Sequence, residues 1–326
     1  MSAWESSSPL TVAVALVALA VLLAVSLWDV VRRAKEKTRE LRKDLPPGEG
    51  TDSGSSVPPP GAVARRVALD LAGTLLPSGL VRTRHPIVLV HGYFGFDSIG
   101  VSRLRRDYFL GVRAALEANG YQVFVVRVSA AGSVALRAEQ LAEQIKKLPA
   151  KRVNVIAHSM GGLDARYAIA HLGIAERVAS LVTVGTPHRG TPVADRSASF
   201  FGEWRRLRKA LGAIGANVDG LYDLTTRRME EFNSKVQDVP TVTYASVVGA
   251  VRGSRRSVPR VLVRAHAFLE RLAGPNDGLV PAASQRWGDV ISEIDANHWA
   301  QIGWAEGFDA RGFYVSLAAH LAKTGH

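Results

Sequence analysis

Ser159 has the surroundings that a nucleophile needs. It lies in Val153-Asn154-Val155-Ile156-Ala157-His158-Ser159-Met160-Gly161-Gly162, where strand-like residues run into a tight turn and a helical pattern follows (Leu163, Tyr167, Ala168, Leu172), closed by Gly173. A strand that reverses into a helix within about four residues crowds the backbone, so the positions two before and two after the tip must be small. Ala157 and Gly161 meet that demand. Such a turn exposes the serine oxygen at the carboxyl end of a strand and aims a helix N-terminus at it. In a chain with 30 glycines a small-His-Ser-X-Gly string also arises by chance. The turn therefore counts as chemistry only if a base, an acid and an oxyanion hole sit in compatible places.

The base must come from nine histidines. His320 and His326 lie in the last helix and at the terminus, His171 and His266 in helical patterns, and His85 before a proline. His91, His158 and His188 belong to turns around the serine but precede any suitable acid. His298, in Asp295-Ala296-Asn297-His298-Trp299, follows the last predicted strand and completes the order serine, acid, histidine that accompanies an elbow of this kind. The acid is Asp277 in Pro275-Asn276-Asp277-Gly278-Leu279-Val280-Pro281, with the task of holding the imidazole tautomer and stabilising its protonated form. Asn-Asp-Gly is also a common turn formula, and Asp295 stands in reserve. The oxyanion donors are the N–H groups of Tyr93, after the sharp His91-Gly92 turn, and of Met160, next to the nucleophile.

Elements that hold these residues follow from the apolar pattern. Strands are predicted over 87–90, 122–126, 153–156, 179–184, 241–248 and 289–294, and helices over 103–118, 134–148, 163–172 and 311–323. Short, continuously apolar strands alternating with helices imply a mostly parallel sheet flanked by helices, an α/β fold. A stretch over 191–236 interrupts the alternation. There Phe200, Phe201, Trp204, Leu207 and Leu211 make an apolar face opposite Arg205, Arg206, Arg208 and Lys209, the pattern of a helical lid or of cover for the core. The basic cluster over 252–264 suits a lipid contact or a solvated loop equally.

Residues 9–28 carry no charge. At about 1.5 Å per residue they span roughly 30 Å, the thickness of a hydrocarbon core. The start holds Glu5 and no Lys or Arg, which favours an uncleaved transmembrane anchor (1–28) over a cleaved signal peptide that would export the chain. Arg32, Arg33, Lys35, Lys37, Arg39, Arg42 and Lys43 follow the span, placing the C-terminal side in the cytoplasm of a single-pass cell-membrane protein. Residues 29–61 read as a basic juxtamembrane helix and a Pro/Gly/Ser linker, and 62–326 as one folded domain. The net charge of +12 points to an anionic membrane surface, since no nucleic-acid module is present. With no cysteine there are no disulfides or thiolate sites. Oligomeric state is not encoded in any pattern here.

The sequence resembles the bacterial Pseudomonas-type triacylglycerol lipases of the α/β-hydrolase superfamily. The resemblance lies in Pro86-Ile87-Val88-Leu89-Val90-His91-Gly92 with Gly95-Phe96-Asp97, in the Ala157–Gly162 elbow, in Val184-Gly185-Thr186-Pro187-His188-Arg189-Gly190-Thr191, in Asn276-Asp277-Gly278-Leu279-Val280, and in Leu224-Thr225-Thr226 with Phe232-Asn233. It implies ester hydrolysis by Ser159, Asp277 and His298 on a lipid ester. The elbow opens with alanine, as in the small Bacillus lipases. The family's calcium site uses an aspartate two residues after the catalytic histidine and another some twenty residues before the catalytic aspartate. Ala300 fills the first position and no aspartate lies between Val239 and Asn276, so no cofactor is expected. The family disulfide is missing too, which leaves packing, through Trp299 and Trp304, to hold the His298 loop. A phospholipase or acyltransferase on the same fold, or a catalytically silent membrane-bound interaction module, are the alternatives.

Overall fold

Strand β1 (Ile87–Val90) is buried along its whole length, and its alternate side chains enter two different cores. Ile87 and Leu89 pack with Val112 and Leu116 of α1 (Val112–Ala118) and with Tyr314, Leu317 and Leu321 of α9 (Ala310–Lys323). Val88 and Val90 pack with Ala138, Leu141 and Ile145 of α2 (Val134–Lys147) and with Ala165 and Ile169 of α3 (Gly161–His171). Side chains alternate across a strand, so a sheet covered on both faces requires an unbroken apolar run. The computed structural model describes residues 82–93, 107–198, 219–253 and 258–326, all within the unit Leu75–His326. The span at 9–28, the stretch over 29–61 and the apolar face at 200–211 lie outside the described residues. Among the described residues no helix is long and apolar enough to cross a membrane.

Five further strands complete the sheet: β2 (Val123–Val125), β3 (Val153–His158), β4 (Val178–Val184), β5 (Thr243–Gly249) and β6 (Asp289–Ile294). All pair in parallel in the order β2-β1-β3-β4-β5-β6. The chain leaves β1 toward one edge and returns from β2 to its other side as β3. Ligands of open parallel sheets bind at such a reversal, outside the carboxyl ends of the strands. The His91-Gly92-Tyr93 turn leaves β1 there, and the Ser159 turn leaves β3 beside it.

Two of the boundaries that differ from the sequence pattern bear on the site. α1 starts at Val112, not near 103, because Gly111 takes a left-handed conformation (φ 71°) and Leu110 N–H turns aside to bond the carbonyl of Ile302 at 3.0 Å. β3 runs to His158, so strand geometry reaches the residue before the serine. The 191–236 insertion holds α4 (Pro192–Ala198), α5 (Asp219–Asp223) and α6 (Thr226–Lys235) at its described ends. Beyond it come α7 (Val263–Ala273) and the short α8 (Ala282–Gln285).

Candidate active site

At the end of β3 the backbone turns so sharply that Ser159 adopts φ 55°, alone among the described non-glycine residues in having a positive value. That conformation costs an L-residue about 1–2 kcal/mol. It is held by Ser159 N–H donating to Val184 O at 2.9 Å and by Thr186 Oγ1 donating to Ser159 O at 2.7 Å. The glycines around the turn leave space that no side chain could share. A Cβ on Gly92 would sit 2.6 Å from Ser159 Cβ, and one on Gly161 would sit 2.7 Å from His91 O. Met160 opens α3, so its N–H has no intrahelical acceptor.

Histidine and acid arrive from the far strands. Ser159 Oγ donates to His298 Nε2 at 3.0 Å, and His298 Nδ1 donates to Asp277 Oδ2 at 2.7 Å. Asp277 is fully buried, with His298 5% and Ser159 7% exposed, so little water competes for these bonds. Main-chain contact adds precision, because His298 N–H bonds Asp277 O at 2.8 Å. Asp277 Oδ1 accepts from Leu279 N at 3.0 Å and Val280 N at 2.8 Å, the turn chemistry of Asn-Asp-Gly put to use. Asp295 is exposed and instead accepts from Arg252 N at 2.9 Å.

Tyr93 follows Gly92 on the turn pressed against Ser159, and its ring lies near the Met160 side chain, both facing Gly220 of α5. Burial pushes the Tyr93 hydroxyl up to about 12, opposed by Arg137 and by a hydrogen bond to the Leu221 backbone. The remaining turn histidines have structural places. His91 Nε2 accepts from Val128 N at 3.2 Å, which puts its proton on Nδ1, 3.0 Å from Gly92 O. His158, with its ring 4.6 Å from that of His298, bonds the hydroxyl of Tyr108 at 2.7 Å. Burial first and His298 second hold its pKa well below the ordinary histidine value. The His298 loop is tied by Trp304 Nε1 donating to Tyr108 O at 2.6 Å, and by Asn297 Oδ1 accepting from Trp299 N and Ala300 N, each at 3.0 Å.

Residues 68–216 match a domain of unknown function (DUF7379). The triacylglycerol lipase of Vibrio cholerae serotype O1 is 43% identical over 266 residues, covering 71% of this chain and 83% of that protein. The triacylglycerol lipase of Pseudomonas fragi is 33% identical over 295 residues, covering 75% of this chain and 98% of that protein. The chain belongs to the bacterial triacylglycerol lipase family. It is a serine ester hydrolase of the α/β-hydrolase class. Among solved structures, a metagenomic carboxyl esterase superposes with a TM-score of 0.64 at 21% identity, over 78% of this chain and 80% of that one. The Staphylococcus hyicus lipase gives 0.59 at 19% identity, over 76% and 96%. At such identities the likeness concerns the fold.

Two buried arginines escaped the sequence pattern. Arg137, fully buried on α2, donates through Nε to Asp164 Oδ2 of α3 at 2.8 Å, and through Nη2 to His91 O at 2.8 Å and Gly92 O at 3.3 Å. It also bonds Ser129 O. One guanidinium thus joins the turn after β1 to the helix after the serine. Burial raises Asp164 to about 6, and Arg137 opposes that rise. The signal was an arginine inside the apolar stripe of Val134, Ala138, Leu141 and Ile145. Arg166 of α3 bonds Asn233 Oδ1 at 2.9 Å and Val236 O at 3.1 Å, and its guanidinium lies 3.5 Å over the ring of Trp287. His188 stacks on the same indole at 5.3 Å. This cluster anchors the turn after β4 to α6.

Lysine cannot reach all of the acceptors of Arg137 at once. Arg137→Lys is expected to keep its fold with a lowered melting temperature and to lose about 10- to 100-fold in kcat, with KM little changed, because it loosens a turn and not a binding surface. Wild-type kcat in the folded variant would contradict this role.

Proposed function

We propose that the chain is a membrane-tethered lipase that hydrolyses acylglycerols or other lipid esters through a Ser159–His298–Asp277 triad. The observation that carries the reading is the unbroken bond series from Ser159 Oγ through His298 to Asp277, at 3.0 and 2.7 Å. Ser159 Oγ attacks the ester carbonyl while His298 Nε2 takes its proton. The N–H groups of Tyr93 and Met160 receive the oxyanion, where each donor is worth about 10²–10³ in rate. His298 returns the proton to the departing alcohol, and Asp277 stabilises the imidazolium between these steps. Water then repeats the attack on the acyl-enzyme with His298 as base, releasing the fatty acid.

The reading includes no metal. Ala300, where the family resemblance places an aspartate ligand, offers only a methyl group and is packed in the core with Ile302 and Tyr314. Its loop is held instead by the Asn297 and Trp304 bonds. Supply of the ester from a bilayer is supported by the uncharged span at 9–28 and by the basic flank after it, which favours a catalytic domain on the cytoplasmic side against anionic head groups. The 191–236 insertion, with its apolar and basic faces at 200–211, is proposed as a lid on the strength of its sequence pattern.

Hydrolysis of a panel of acylglycerols, simple esters and phospholipids by wild type and Ser159→Ala tests the chemistry. The variant is expected to lose about 10⁴-fold or more of kcat on every substrate that wild type cleaves, while equal rates would end the mechanism. A panel cleaved only at phospholipids would replace the acylglycerol assignment. For the tether, the full chain should sediment with membranes and stay there in alkaline carbonate. Release into the soluble fraction would remove that part of the reading.

A further inference from the structure

Gln301 stands three residues after His298, in the 3₁₀ turn Ala300–Ile302, and is fully buried. We propose that it is a positioning residue of the reaction, donating from its side-chain amide to Asp277 Oδ2, the oxygen that also accepts from His298 Nδ1. The inference rests on the triad reading given above.

An ionised carboxylate has about four acceptor sites. In Asp277 two of them, on Oδ1, are filled by Leu279 N and Val280 N. On Oδ2, His298 Nδ1 takes one at 2.7 Å and Gln301 Nε2 the other at 3.0 Å. Asp277 is 0% exposed, so without Gln301 one acceptor site of a buried charge would go unpaired. Donors to the charged form favour that form. Gln301 therefore fills the last acceptor site of the carboxylate, and it pins Oδ2 laterally so that its remaining direction points at the imidazole. An acceptor-only carboxylate fixes which end of the amide faces it, since Oε1 in that place would be repelled.

The surroundings are shaped around this one amide. Gly185, just past β4 with φ 61°, and Gly249, at the end of β5, both lie against it, and a Cβ on either would overlap the amide group. The turn is held to the same register as the histidine, with Gln301 N–H bonding Asn297 O at 3.1 Å. The titratable groups around it are His298, Asp277 and His158, with Tyr108 behind His158. Oε1 of Gln301 and Nε2 of His158 have no hydrogen-bond partner among the described residues.

The test compares full-length wild type, Gln301→Leu, Gln301→Glu and Ser159→Ala on p-nitrophenyl butyrate across about pH 5 to 10. Gln301→Leu, which removes the donor at similar volume, is expected to lower kcat roughly tenfold with KM near wild type. Gln301→Glu is expected to move the acidic limb of kcat/KM upward by about one pH unit or more, because a second carboxylate beside Asp277 favours the protonated imidazole. A residue that merely packs would lower the melting temperature and leave that limb in place. In wild type itself, the side-chain amide protons of Gln301, followed by NMR with ¹⁵N-glutamine, should exchange at least about tenfold more slowly than exposed glutamine amides. Free exchange would overturn the proposal even if no variant folds. Wild-type hydrolysis by Ser159→Ala would sink the triad reading. An inactive Ser159→Ala beside Gln301 variants with wild-type kcat and an unmoved limb would sink this inference alone.

Discussion

Ser159 occupies a left-handed conformation at the corner between β3 and α3 because everything around the corner forbids another path. Gly92 presses on its Cβ from the turn after β1, Gly161 lies against the carbonyl oxygens of Val90 and His91, and Gly162 would clash with Thr186 if it carried a side chain. Strain of about 1–2 kcal/mol at one residue persists only where neighbours over-determine the backbone. Here they do so from β1, β4 and the helix that follows. The parallel sheet supplies this crowding, because its strand order brings the carboxyl ends of β1, β3 and β4 side by side.

Holding such a corner means burying polar groups, and long-range bonds pair several of them. Arg137 spans from α2 to α3 and to the turn after β1, so the candidate oxyanion turn and the helix N-terminus share one clamp. Breaking a buried charge pair of this kind typically costs about 3–5 kcal/mol, far more than a surface pair. Arg166 does the corresponding work between α3 and α6, with burial drawing its pKa down to about 10 against the pull of Asp238. Gln285 adds a third tie, donating from Nε2 to Gly249 O at 2.8 Å and Val280 O at 3.0 Å, which binds the acid turn to β5. The acid and the histidine then share one small framework despite their separation in sequence.

Strand positions and the order of the turns were legible in the sequence, because doubly buried strands leave unbroken apolar runs and a tight elbow demands small residues at fixed offsets. Ser159 reads from that elbow, and Asp277 and His298 read from their order in the chain after it; in the structure the three lie within mutual hydrogen-bond reach. Arg137, Tyr108 and Gln301 were not legible. Each acts through partners distant in sequence, as when Tyr108 bonds His158 through its hydroxyl and Trp304 through its carbonyl. Periodicity alone misplaces the start of α1, because it ignores what Gly111 and the Ile302 carbonyl do to Leu110. The sequence suggests packing as the role of Trp304 at the His298 loop, and the structure adds a directed indole hydrogen bond.

The central claim is that this corner makes Ser159 a nucleophile activated by His298. An alkyl phosphonate probe, added to the folded full-length chain in detergent and located by mass spectrometry, tests it most directly. Stoichiometric modification at Ser159, abolished in His298→Ala, is the predicted result. An unmodified Ser159 in folded protein, or labelling that persists undiminished without His298, would contradict the account.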